Sequence, residues 1–129
     1  MAPGRTPSYT ARLAAGRADE VGIAAARSAL DRMHALLADL RMFPAADREF
    51  HDALATMAGN SVLNDQLHVV QSLLRVYTDR SVDDETDASR AIDEHRALLG
   101  AVVARDADLA VSAMAIHMAT ASARLLAGD

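Results

Sequence analysis

Apolar residues recur along this chain at the three- and four-residue spacing that gathers them on one side of a helix. Leu30, Met33, Leu37 and Leu40 fall at i, i+3, i+7 and i+10, which predicts a long helix to about Arg41 with Asp19 as its cap. Ahead of it, Tyr9 to Arg17 predicts a shorter helical piece weakened by Gly16. Residues 1–8, which hold two prolines and a glycine, predict a disordered lead-in. Pro44 stands where a first helical turn accepts a missing N–H. A third helix is therefore expected from Pro44 to about Ala58, stopped by Gly59-Asn60.

The next segment, Ser61 to about Arg80, places Leu63, Leu67, Val70, Leu74 and Tyr77 on one face and predicts a fourth helix. The polar run from Ser81 to Thr86 predicts a solvated loop. A fifth helix, about Thr86 to Arg105, aligns Ala88, Ile92, His95, Leu99 and Val102. Asp106 can cap a sixth, to about Ala127, in which Ala110, Met114, His117, Ala121 and Leu125 share a stripe. Short connections favour antiparallel neighbours. The expected fold is all-α: an antiparallel bundle of about six helices forming one domain over residues 9–129.

Composition sharpens this picture. The apolar content comes from Ala, Leu, Val and Met, with two Phe, two Tyr and no Trp; helix formers abound and strand formers are sparse. A chain of 129 residues can bury one continuous core. Thirteen basic residues against eighteen acidic ones give a formal charge of −5, and no basic cluster stands out. Direct nucleic-acid binding by this chain alone is not expected. No apolar run reaches the length of a membrane span, and the first residues lack the apolar core of a secretion signal. A cytoplasmic protein is expected.

With no cysteine, a metal must be held by His and carboxylate. Asp47 and His51 are four residues apart, so one turn of helix brings both to the same face, beside Leu54 and Ala58. His95 and His117 each replace an apolar residue in the middle of a core stripe on a different helix. Charged and polar groups on apolar faces are costly to bury unless something satisfies them. Three imidazoles and a carboxylate suit zinc, with nickel, manganese or iron as alternatives, and leave positions open for water or ligand. Hydrogen-bonded core histidines and an intrahelical Asp–His pair are the competing explanation. His34 and His68 lie off the core stripes and read as surface or boundary residues. The methionines read as core filler, and Gly100 as a position that permits a close helix crossing. Arg75 reads as a surface residue or as a cavity residue pairing a carboxylate ligand.

Three motifs in order resemble a known family. The run Asp47-Arg-Glu-Phe-His51, followed by Leu54-Ala55 and Ala58-Gly59-Asn60, is similar to the start of the effector-binding FCD domain of FadR-type regulators in the GntR superfamily. Glu94-His95-Arg-Ala-Leu-Leu-Gly-Ala-Val-Val-Ala-Arg-Asp106 resembles that family's fifth-helix signature, and Met114-Ala-Ile-His117 its last-helix signature. The resemblance runs from about Ala11 to the end. It implies a helical effector domain with a metal held by Asp47, His51, His95 and His117, a cavity for a small carboxylate often touching the metal, and a homodimer. It also implies that DNA is contacted through a winged helix-turn-helix domain, which this sequence does not contain and which is inferred only for a longer parent. The family's Arg and Glu ahead of the Ala11-Arg12-Leu13-Ala14-Ala15 segment are not supplied here.

The function expected is that of a metal-containing effector-binding and dimerisation domain sensing a small organic acid, not an enzyme. Two rivals stay open on the residues: a small metal-dependent hydrolase-like enzyme, with Glu49 or Glu94 near the metal, and a structural dimerisation bundle without metal.

Overall fold

A computed structural model describes residues 5–59 and 85–127, and among them it contains helices and turns but no strand. Five α-helices follow in order: α1 (Arg5–Arg17), α2 (Glu20–Ala35), α3 (Phe43–Ala58), α4 (Glu85–Val103) and α5 (Ala107–Ala127). The helix expected over Ser61–Arg80, and with it His68 and Arg75, lies outside the described residues. The bundle is all-α, as the apolar periodicity requires.

Helix α1 begins at Arg5, so residues 5–8, expected in the lead-in, are helical and Gly16 is accommodated near its end. Asp19 caps α2 as expected, its carboxylate accepting from the Gly22 N–H at 2.7 Å. Yet α2 stops at Ala35, six residues before Arg41. The apolar stripe continues, but on two 3₁₀ turns, Leu36–Ala38 and Leu40–Met42, where Leu36, Leu37 and Leu40 pack partly buried against the core. Asp39 breaks the run: its backbone leaves the helical region (φ −143°, ψ 84°) and its carboxylate accepts from the Arg41 backbone N–H and side chain, offering the chain an alternative to helical bonding. Periodicity registers the buried side, whichever kind of helix carries it.

Pro44 occupies the first turn of α3, and Gly59 ends the helix in the left-handed conformation, φ 71°. The Arg17 guanidinium reaches across from α1 and donates to the Ala58 carbonyl at 2.6 Å. A second latch lies beside it, at the same end of α1. Arg105 adopts φ 57° in the turn between α4 and α5 and donates to the Ala18 carbonyl at 2.6 Å. Asp106 caps α5 through the Leu109 N–H at 3.0 Å.

Helices α2 and α3 pack on each other, as do α4 and α5, giving the expected neighbour pairs. Helix α1 does not pair with α2 despite the two-residue connection; it lies against α5 and α3, with a lesser contact to α4. Its inner face is Ala11, Ala14 and Ala15, continued by Ala18 just past its end, all buried. Phe43, Phe50, Leu54, Met33, Ile92, Leu98 and Val102 fill the centre. At Gly22 α2 lies tightly against α3: a β-carbon there would overlap the Met57 side chain. Gly100, by contrast, faces open space, so it permits no close crossing among the described residues. Met33, Met57 and Met114 are core residues as expected, whereas Met42 is exposed. No helix among the described residues is long and apolar enough to cross a membrane.

Candidate metal centre

Helices α3, α4 and α5 each turn a histidine inward at the same level. His95 is fully buried, His117 and His51 nearly so, and Asp47 is half-buried beside them. One ligand atom from each of the four lies within 4.8 Å of all the others. His34 is exposed on α2, off the core stripe.

The Phe50 ring sits edge-on to His95, with centroids 4.6 Å apart, and closes one side of the group with apolar surface. His51 and His117 stack nearly parallel at 5.3 Å, and His95 stands across His117 at 4.3 Å. In these surroundings a polar atom without a partner is expensive, so the ring protons can be assigned from their neighbours.

His95 Nδ1 faces the Ala91 carbonyl one turn back on α4. A carbonyl only accepts, so Nδ1 carries the hydrogen. In a neutral ring Nε2 is then a bare lone pair, and it lies 2.7 Å from Asp47 Oδ1. Two acceptors at that separation repel unless a second proton or a cation comes between them. His117 repeats the pattern. Its Nδ1 lies 2.8 Å from Glu94 Oε1, so it donates there, and its Nε2 lies 3.3 Å from His51 Nε2. His51 Nε2 is in turn 3.5 Å from Asp47 Oδ1.

The electrostatics agree. Burial opposes charge on Asp47, yet protons that the His51 and His95 rings turn toward it hold its carboxyl well below the usual carboxylate range, as a cation at that point would. Burial pushes His117 down to about 4, and the Glu94 carboxylate offsets only part of that. Near neutral pH the cluster thus has an ionised carboxylate and an unprotonated imidazole at its centre. Both are donor atoms for a metal.

The spacing fits such an ion. A tetrahedral zinc with ligands at about 2.0–2.1 Å separates its ligand atoms by roughly 3.3 Å; the neighbouring pairs here are 2.7, 3.3 and 3.5 Å apart. The ring nitrogens turned away from the centre on His95 and His117 are held by a carbonyl and a carboxylate, the outer partners that fix a ligating histidine.

Helix periodicity singled out all four of these residues. It did not find the roles of Glu94 and Thr120. Glu94 spans the α4–α5 contact, with one oxygen on His117 and the other 2.8 Å from the Thr120 hydroxyl. Glu94 is off the His95 stripe and nothing in its own helix marks it; the signal available was that Thr120 follows His117 by three residues and so shares its side of the helix. Glu49, the other acid expected near the centre, pairs instead with Arg32.

The chain is 34% identical over 116 residues to the galactonate operon transcriptional repressor of Escherichia coli (strain K12), an alignment covering 89% of this chain and 51% of that protein. It therefore spans about half the length of the curated relative it matches. Residues 8–120 match the FCD domain. The match takes in α3, α4 and most of α5, with all four inward-facing residues, and the chain belongs to the FCD domain family of GntR-type transcriptional regulators.

Proposed function

We propose that this chain is a metal-containing effector-binding and dimerisation domain of a GntR/FadR-type transcriptional regulator that senses a small organic acid. One observation carries the metal. His95 Nε2 and Asp47 Oδ1 converge at 2.7 Å in a buried setting, with two further imidazoles beside them. Asp47, His51, His95 and His117 would hold a divalent ion, zinc in the first place and nickel or manganese as alternatives. When bound, the ion supplies a Lewis-acid anchor for a carboxylate.

Membership of the FCD family supports the regulatory role. The similar E. coli protein is named for a galactonate operon. Galactonate is a hydroxy acid, whose carboxylate and neighbouring hydroxyl make a chelating pair, and this supports a small organic acid as the effector here. DNA would be contacted through a winged helix-turn-helix domain outside this chain, in the cytoplasm. An effector preferring one arrangement of the dimer would shift the population of the DNA-competent state. Arg75 would lie among the residues meeting the carboxylate.

The regulatory reading is favoured over a metal-dependent hydrolase by the two acids a hydrolase would use as base. Glu94 is engaged with His117 and Thr120, and Glu49 with Arg32. Metal analysis after equilibrium dialysis tests the site: one divalent ion per chain is expected, lost in His95→Ala and His117→Ala. Metal content unaffected by both substitutions defeats the assignment. A thermal-shift screen of small carboxylic acids, with and without the ion, tests the effector class.

A further inference from the structure

We infer that Glu94 and Thr120 are positioning residues for the metal centre, acting through His117; this rests on the metal reading above. The Glu94 side chain is largely buried between α4 and α5. Its Oε1 takes the Nδ1–H of His117 at 2.8 Å, and its Oε2 lies 2.8 Å from the Thr120 hydroxyl. That hydroxyl has a single proton and three acceptors within reach: Glu94 Oε2, the Ile116 carbonyl at 2.9 Å and the His117 carbonyl at 3.0 Å. The ionised carboxylate is the strongest acceptor of the three, so the proton goes to Glu94.

The consequence falls on His117. A neutral imidazole has one N–H, and a rotating ring could present either nitrogen to the centre. With Nδ1–H committed to Glu94, the hydrogen is on the outer side and the Nε2 lone pair faces His51 and the other ligands. The negative charge on Glu94 also makes that nitrogen a stronger donor. Thr120 holds the carboxylate in place from the helix that carries His117, one turn further on. Glu94 acts through His117, and its contribution is to tautomer and orientation.

Outer partners of this kind change metal affinity by about 10- to 100-fold when removed. The test is competitive titration of zinc against a chromophoric chelator, on the whole chain, paired with 15N–1H NMR of the His117 ring in metal-free protein. Glu94→Ala is expected to weaken zinc by that factor and to release His117 into a mixture of tautomers. Glu94→Gln, whose amide oxygen can still accept from Nδ1–H, is expected to restore the tautomer and part of the affinity. Thr120→Val is expected to weaken binding several-fold, and Thr120→Ser to behave as the unsubstituted protein. Zinc affinity of Glu94→Ala within about twofold of the parent would overturn the inference; that threshold lies well below the factor expected for an outer partner. So would an Nε2–H tautomer for His117 in the parent. If the parent binds no divalent ion but its ring shows the Nδ1–H tautomer that Glu94→Ala abolishes, the positioning role stands and the metal reading fails.

Discussion

His95 Nε2 and Asp47 Oδ1 lie 2.7 Å apart across 48 residues of sequence, with the far side of the imidazole tied to the Ala91 carbonyl. Asparagine in place of the aspartate can donate an N–H to that ring nitrogen and satisfy it without a cation. Asp47→Asn should therefore match or exceed the parent's stability in chelator. It should gain much less from a divalent ion, which stabilises the parent by about 4 kcal/mol at 1,000 times its Kd. Thermal melts with EDTA and with zinc check this; an equal zinc-induced shift in both proteins would contradict a role for Asp47 as a ligand.

The metal-free protein should lose stability in mild acid. His117 has a folded pKa of about 4 against an ordinary 6.5. Above pH 6.5 the ring is neutral in both states and contributes nothing to the slope. Between 6.5 and 4 the unfolded chain binds a proton that the folded chain refuses, so stability falls, by about 3 kcal/mol across the window. The depressed carboxyl of Asp47 acts in the same direction but only below the ordinary carboxylate range, outside this window. Urea midpoints measured in EDTA from pH 7 to 4 should show a steeper decline for the parent than for His117→Gln. Parallel slopes would contradict the assignment.

Gly22→Ala should destabilise the domain by about 1–3 kcal/mol, because the new methyl enters space held by Met57 and forces a rearrangement in a packed interface. The double variant with Met57→Ala should recover part of the loss. Gly100→Ala is the control, since a methyl there meets open space and replaces a helix-weakening glycine. It should be neutral or stabilising in denaturant titrations.

Removal of the Arg17 latch leaves the Ala58 carbonyl without its guanidinium donor at the left-handed end of α3. Arg17→Ala should cost about 1.5–3 kcal/mol, the range for hydrogen bonds to charged groups. Arg17→Lys should recover less than full stability, since its ammonium is a strongly hydrated point charge on a flexible stem. Differential scanning calorimetry of the three proteins checks the order.

The helices among the described residues and the four inward residues were readable because both rest on one periodicity. An imidazole in place of leucine at His95 or His117 interrupts a stripe that is otherwise apolar, and the interruption is visible without coordinates. What periodicity could not reveal were relations between helices. The Glu94 bridge to Thr120 joins two helices through residues that neither stripe marks. The end of α2 was missed for a related reason: Leu37 and Leu40 stay on the buried side through the 3₁₀ turns, so the pattern continues after the α-helix has stopped. Similarly, short connections favour neighbours in general, yet α1 and α2, two residues apart, do not pair, and the latches from Arg17 and Arg105 belong to an arrangement in which α1 lies against helices distant in sequence.

The alanine surface of α1 has a mechanical corollary. A methyl group has no torsion to readjust and loses no rotamer freedom, so Ala11, Ala14, Ala15 and Ala18 cannot absorb a neighbour's movement by changing side-chain shape. Leucines in their place would swivel and keep the backbone still. Here a displacement of α3 or α5 either opens a gap or carries the α1 backbone along with it, as one gear tooth carries the next.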